Sequence, residues 1–361
     1  MSSVASSAAV GPPPGMRVRL SSNESAFGPS PAAVAAAREA AGDAHLYPDD
    51  QSVLLREAIA AHERVTFDEV AVGTGSAALL MDAIAHECRD GGDVLAFERS
   101  FIVYRLGARN AGATYVEVPD SGPADHDGRG YERDVDALLA RAGADTRVVL
   151  IDNPGNPTNA HVTGDALRSL VEGLPEHVTI VVDEAYHQFA HGQDGYATVS
   201  ELGLDHPRLL VARTFSKAYA LAGLRVGYLV GPTELVGSLD AWRTRFNVTS
   251  TAQSAAIASL ADIQHLEHTI SGTLEGRRRM ADGLRALGVP FADGLGNFLT
   301  IELGEPSAPV VEAYAWHGVG VRPLEPYGMP EQIRVTVGTP DEVDVFLEAS
   351  ADVLAEVASR A

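Results

Sequence analysis

One lysine stands among small and hydroxyl-bearing residues in the string Arg213-Thr214-Phe215-Ser216-Lys217-Ala218-Tyr219, directly after the apolar run Leu209 to Ala212. The run reads as a buried parallel strand, which places Lys217 in the loop at its end. A lysine held there can lose its charge and form a Schiff base with an aldehyde. The hydroxyls of Thr214 and Ser216, with Arg225 eight positions beyond the lysine, are suited to hold a phosphate beside it. An aldehyde that carries a phosphate is pyridoxal 5'-phosphate (PLP). Lysine by itself is usually a solvated surface residue. It is the whole string, ending Leu224-Arg225-Val226-Gly227, that points to the cofactor.

Other residues have the chemistry such a cofactor needs. Val178-Thr179-Ile180-Val181-Val182 is a second buried strand and ends on Asp183. A carboxylate there is costly to bury unpaired, and a protonated pyridine nitrogen is the partner that would keep the ring an electron sink. Tyr186, three residues on, can reach the ring oxygen, while Glu184 caps or pairs locally. Val70-Ala71-Val72-Gly73-Thr74-Gly75-Ser76-Ala77-Ala78 reads as strand, glycine turn and helix start. The free amides of Ser76, Ala77 and Ala78 would attract an anion. Arg147 to Asp152 is a strand ending in Asn153-Pro154-Gly155-Asn156-Pro157-Thr158-Asn159, where two prolines stiffen the turn and Asn156 projects from it.

These motifs together resemble the fold-type I PLP-dependent aminotransferases, in the histidinol-phosphate and aromatic amino-acid branch, from about Leu20 to the C-terminus. Within that branch the chain looks most like actinobacterial aromatic (phenylalanine) aminotransferases. The resemblance implies a role for each matching residue. Lys217 is the cofactor lysine, Asp183 the partner of the pyridine nitrogen, and Asn156 and Tyr186 the ring-oxygen contacts. Ser76, Ala77, Ala78, Thr214, Ser216 and Arg225 form the phosphate cup. In Arg99-Ser100-Phe101-Ile102-Val103-Tyr104, Phe101 matches the ring-stacking position, with Tyr104 as the alternative. Tyr47 in Leu46-Tyr47-Pro48-Asp49 would reach the cofactor phosphate of a partner subunit, which implies a homodimer with shared active sites. The Asn23-Glu24-Ser25-Ala26-Phe27-Gly28-Pro29-Ser30-Pro31 loop would line the substrate mouth, Asn23 and Phe27 with it. In Ile333-Arg334-Val335-Thr336-Val337-Gly338, Arg334 would grip a carboxylate; Arg322 lies near the substrate side chain or at the surface. The family turn reads Asn-Pro-Asn-Asn-Pro-Thr-Gly, so Gly155 and Asn159 depart from it. Asn can take a left-handed conformation in place of Gly, whereas Gly155 could widen the site.

Strands alternating with helices through the middle argue an α/β fold with a mostly parallel sheet covered on both faces. The resemblance makes this a seven-stranded-type sheet in a large PLP-binding domain, with a smaller α+β domain. The expected organisation is a flexible arm over 1–19, an N-terminal segment packing with the small domain over 20–45, the large domain over 46–275 and the small domain over 276–361. The chain has 361 residues, 45% of them hydrophobic, and a formal net charge of −22, which disfavours nucleic acid and anionic membranes. Its one cysteine, Cys88, excludes an intramolecular disulfide framework and fits a cytoplasmic setting. No transmembrane run, signal peptide, metal-ligand pattern or internal repeat is expected.

The reaction implied is ping-pong transamination between an amino acid and a 2-oxo acid, with 2-oxoglutarate as acceptor. The donor expected is an aromatic amino acid, phenylalanine, with Phe27 as an apolar wall and Arg334 on the α-carboxylate. Histidinol phosphate is the alternative, and needs a second basic residue such as Arg322 for its phosphate. A PLP decarboxylase, oxidase or lyase would share the same cofactor residues.

Overall fold

The structure is a computed structural model that describes residues 15–124 and 130–360. Its strands are β1 (Val18–Arg19), β2 (Val70–Gly73), β3 (Asp93–Phe97), β4 (Thr114–Val118), β5 (Thr146–Asp152), β6 (Thr179–Asp183), β7 (Leu209–Thr214), β8 (Gly227–Val230), β9 (Phe291–Ala292), β10 (Phe298–Glu302), β11 (Val319–Gly320), β12 (Arg322–Pro323) and β13 (Gln332–Thr336). Seven of them form the central sheet in the order β2-β8-β7-β6-β5-β3-β4. Only β8 runs against the rest, pairing antiparallel with both β2 and β7.

The apolar runs are continuous because both faces of this sheet are covered. Val94, Ala96, Val148, Leu150, Val181 and Leu210 point into one core. Their sequence neighbours Leu95, Phe97, Val149, Ile151, Ile180 and Val211 point into the other. That alternation is the two-residue period of a strand. Cys88 is buried in the first core. β2, β5, β6 and β7 are parallel, so their carboxyl ends meet at one edge and deliver the four motifs there.

The second sheet has the order β12-β13-β10-β9, all antiparallel. Its core takes Leu299, Ile301, Ile333 and Val335 from the sheet, with Val343 and Phe346 from the last helix, Pro340–Arg360. The helix Ile263–Ala286 crosses between the two bodies. Asp262 caps its start and hydrogen-bonds Ser30, and Met280, Ala281 and Leu284 near its end pack in the second core.

Two organisational expectations change. Of the arm expected over 1–19, residues 1–14 lie outside the described residues, but β1 is not a free arm. It pairs in parallel with β11, and Val18 is buried in the second core. The segment 20–45 does not pack with the second body alone. Leu20 does, yet Ala33 on the helix Pro31–Ala40 packs into a cluster with Leu55, Phe215 and Ala252 beside the central sheet. The reason is the Ser30 cap: it turns the chain into an Ala-rich helix whose small face lies close against the helix Ser250–Ala261. Among the described residues, no helix is long and apolar enough to cross a membrane.

Candidate active site

A cavity of about 270 Å³ opens at the carboxyl edge of the central sheet. Lys217, Asp183, Tyr186, Asn156, Phe101, Ser76, Ala77, Thr214, Ser216 and Arg225 all line it. They come from stretches far apart in the chain.

Lys217 follows β7 and donates from Nζ to the backbone oxygen of Asn23, 3.1 Å away. Burial, with the nearby Arg334 guanidinium, pushes its ammonium down to about 7. Asp183 ends β6 and is 3% exposed. Burial, reinforced by Asp152, pushes its carboxyl up to about 7. Two donors steady it: the Tyr104 hydroxyl at 3.1 Å and the Ala185 amide at 3.2 Å. The adjacent Glu184 faces away, accepting from Arg213 at 2.7 Å and from the Val199 amide at 2.8 Å. Arg213 also pairs with Glu63, so this ion group ties β7 to the end of the helix Val53–Glu63 rather than facing the cavity.

At one end, the helix Ser76–Glu87 begins after Gly75 with no side-chain cap. Gly75 has φ +86°, and a Cβ there would lie 2.6 Å from Arg225 Nη2. Only glycine lets the arginine close over the helix start. Arg225 Nη1 lies 3.4 Å from the Ser216 hydroxyl, which accepts from Thr214 Oγ1 at 3.0 Å. The result is a cup of hydroxyls, one guanidinium and helix-start amides, suited to a phosphate. Ala78 is a correction: its amide donates to the Gly75 carbonyl at 3.2 Å, and it does not line the cavity.

Beyond the other end, Asn23, Arg322 and Arg334 do not line the cavity but stand behind Tyr186 and Asn156, which do. Asn23 has φ +53° and donates to the Tyr186 hydroxyl at 2.9 Å. Its own amide is held by Thr336 Oγ1 at 2.8 Å, which ties the loop to β13. Arg334, also on β13 and 5% exposed, donates to Asn156 Oδ1 at 2.5 Å and to the Ser21 carbonyl at 3.2 Å. Its Nε is buried with no hydrogen-bond partner. A buried guanidinium with an unused donor suits an incoming anion. Arg322 lies opposite Arg334 across the sheet and donates to the same Ser21 carbonyl at 3.0 Å.

Several sequence expectations land elsewhere. Tyr104 is fully buried behind the cavity with its ring edge-on to Phe101, so it serves Asp183 and is no stacking platform. Phe101 does line the cavity, as does Tyr186. Phe27 is no wall of the cavity: its ring packs edge-on to His268 and against Gly272 on the crossing helix. Helix packing has drawn it away because Gly272 leaves a ring-sized recess. Tyr47 is 84% exposed and its ring lies tilted against Phe246, centroids 4.9 Å apart, outside its own chain's cavity. Asn159 takes φ +63°, the left-handed conformation expected of it. The residues that sequence reasoning missed are Asp152 and Arg133. Asp152 lines the cavity, and Arg133 pairs with it at 2.7 Å. The available signal was Asp152 itself, a charge closing an apolar strand that had no partner in sequence.

The residues present fit PLP: a lysine of lowered pKa, a buried carboxyl for the ring nitrogen, a flat aromatic and an anion cup share one cavity. The open mainly parallel sheet with this cavity at its carboxyl edge defines a fold-type I PLP-dependent enzyme. The family described as aminotransferase class I and II matches over residues 16–349. Histidinol-phosphate aminotransferase 2 of Methylococcus capsulatus is 41% identical over 93% of this chain and 90% of its own length. The aromatic amino acid aminotransferase of Nocardia farcinica is 40% identical over 93% of this chain and 91% of its own. The crystal structure of histidinol-phosphate aminotransferase from Sinorhizobium meliloti in complex with pyridoxal-5'-phosphate matches with a TM-score of 0.85. It is 28% identical and covers 95% of this chain and 92% of that one. The chain belongs to the class I and II aminotransferases and is a PLP-dependent aminotransferase.

Proposed function

We propose that this aminotransferase takes histidinol phosphate as amino donor and 2-oxoglutarate as acceptor. The observation that carries the reading is the arginine pair: Arg322 and Arg334 both donate to the Ser21 carbonyl, at 3.0 and 3.2 Å. Two guanidiniums side by side repel, and an anion between or against them relieves that repulsion most when it carries two charges. A phosphate monoester is such an anion, and each of its charge-assisted bonds is strong. The relatives named histidinol-phosphate aminotransferase lean the same way. The phenylalanine reading loses Phe27 as its apolar wall, although the Nocardia enzyme supports it by similarity.

Bound PLP supplies an electron sink for the carbon that bears the amino group. The residues of this chain do the rest. The amine of Lys217, its pKa lowered to about 7 by burial, would hold and return the proton of that carbon. Asp183 would hold the ring nitrogen protonated, and Asn156 and Tyr186 would hold the ring oxygen. Phe101 would cover one side of the bound group and exclude water there. Ser76, Ala77, Thr214, Ser216 and Arg225 hold the phosphate. Arg334 also serves the carboxylate of 2-oxoglutarate in the second half-reaction.

A homodimer with shared sites belongs to the same proposal. Leu46, Tyr47 and Leu54 are 60%, 84% and 69% exposed, an apolar face suited to a second copy. Mixed dimers of a Tyr47→Phe chain and a Lys217→Ala chain place both defects in one site. Activity from the other site supports sharing, and a dead mixture counts against it.

The substrate assignment is tested by kcat/KM for histidinol phosphate and phenylalanine at equal 2-oxoglutarate. A tenfold preference for histidinol phosphate is expected. A preference for phenylalanine overturns it and returns Arg322 to a structural role.

A further inference from the structure

The Asn153–Asn159 turn carries an interaction that its sequence does not announce. Asp152 is the last residue of β5, 2% exposed, and pairs in register with Asp183 on β6. One of its oxygens, Oδ2, accepts from the Asn156 amide at 2.8 Å and from the Phe101 amide at 3.1 Å. Its other oxygen accepts from Arg133 at 2.7 Å, and Arg133 also donates to the Asp152 carbonyl. Both side chains are almost wholly buried, at 2% and 3% exposure, and the guanidinium lies over the Phe97 ring at 5.2 Å. Arg133 reaches this place because residue 155 is glycine. A Cβ at Gly155 would lie 2.3 Å from Arg133 Nη2 and 2.9 Å from Cζ. A side chain there would force the guanidinium to shift from this position.

We propose that Asp152 is a positioning residue of the cofactor site: a single carboxylate oxygen fixes the backbone of Phe101 and of Asn156, and Arg133, admitted by Gly155, is the counter-charge that keeps that carboxylate buried. A buried carboxylate without its cation is strongly disfavoured, so the three residues act as one unit. Phe101 covers the face of the bound ring and Asn156 meets its oxygen, so the unit sets where the ring lies. It also accounts for the Gly155 departure. The glycine does not widen the site, because the arginine fills the space from behind. The inference rests on the PLP assignment of the cavity.

The test is PLP affinity by equilibrium dialysis of the full chain, with visible circular dichroism of the bound cofactor as a report of ring orientation. Wild type, Asp152→Asn, Asp152→Ala, Gly155→Ala, Arg133→Ala and the Arg133→Ala/Gly155→Ala double variant are compared. Asp152→Ala and Gly155→Ala are expected to raise the PLP Kd by tenfold or more and to alter the visible dichroism. Asp152→Asn keeps an acceptor for the two amides and is expected to recover part of the affinity. The double variant is expected to bind no worse than Arg133→Ala alone, because the methyl then has nothing to expel. Should Asp152→Ala fail to fold, Asp152→Asn and the Gly155 cycle decide alone. Unchanged affinity and dichroism in Asp152→Asn and Gly155→Ala overturn the proposal, as does an additive double variant. Wild-type protein that binds no PLP would instead remove the cofactor assignment beneath it.

Discussion

The two ends of the cavity are built in different ways. The phosphate end comes from two short stretches, Gly73 to Ala77 and Thr214 to Arg225, on β2 and β7 of one sheet with only β8 between them. Its groups are mostly backbone amides, hydroxyls and one arginine closing over a glycine. The substrate end gathers Ser21 and Asn23, Asn156, Tyr186, Arg322 and Arg334, from five places and both bodies. Its contacts join residues more than 100 positions apart in sequence. The first is a rigid receptacle; the second depends on how the two bodies meet, which is where specificity can vary while the cofactor chemistry stays the same.

Variants at the shared centre should abolish activity whatever the substrate. Lys217→Ala is expected to lower turnover by on the order of 10⁴ or more, since both the covalent attachment and the proton carrier are lost. Borohydride reduction of wild type should fix a pyridoxyl group on Lys217 by mass spectrometry, and an adduct elsewhere would break the assignment. Asp183→Asn should keep PLP bound but lose roughly 100-fold in kcat, because asparagine cannot hold the pyridine nitrogen protonated. Near-native turnover would move that role elsewhere.

The substrate end should respond selectively. Arg322→Ala removes one charge-assisted contact, worth about 1.5–3 kcal/mol. It is expected to raise KM for histidinol phosphate roughly 10- to 100-fold and leave PLP affinity unchanged. An equal loss with phenylalanine would erase the distinction between the two ends.

A smaller effect concerns pH. Burial lowers the Lys217 amine to about 7, so in protein stripped of cofactor it is neutral above that pH and charged below it. Capture of PLP should slow by roughly tenfold per unit as pH falls below 7 and level off above it. A flat profile from pH 5 to 8 would contradict the lowered amine.

The smallest effect is expected at Asn159, which donates to the Phe298 carbonyl at 2.6 Å and accepts from the Gly296 amide at 2.9 Å. These bonds strap the turn to the second sheet. Asn159→Gly keeps the left-handed backbone and should cost about 1–3 kcal/mol of stability, with kcat changed only a few-fold. A large loss of turnover would show that the strap sets the substrate end directly.

Much of the site was legible because it is local. Lys217, Thr214 and Ser216 follow one strand, Asp183 closes another, and the glycine turn opens a helix; strand periodicity alone sends them to one edge. Ala78 was misplaced because a turn consumes its amide, a matter of one hydrogen bond. Tyr104 sits on an amphipathic helix and Phe27 in a turn, places where an aromatic can face either way. Tyr104 turned to a buried carboxylate, and Phe27 to the recess left by Gly272.

By itself the sequence determined the buried strands, the order of the motifs and the types of group each presents, because apolar alternation and turn chemistry act over a few residues. Tertiary structure alone decided that Arg322 and Arg334 share one carbonyl, that Arg133 enters the space at Gly155, and that Asn23 reaches Tyr186. Those contacts depend on the relative placement of separate bodies and on which side chain fills a gap first. Charge pairing and close packing settle such questions only once the chain has closed on itself.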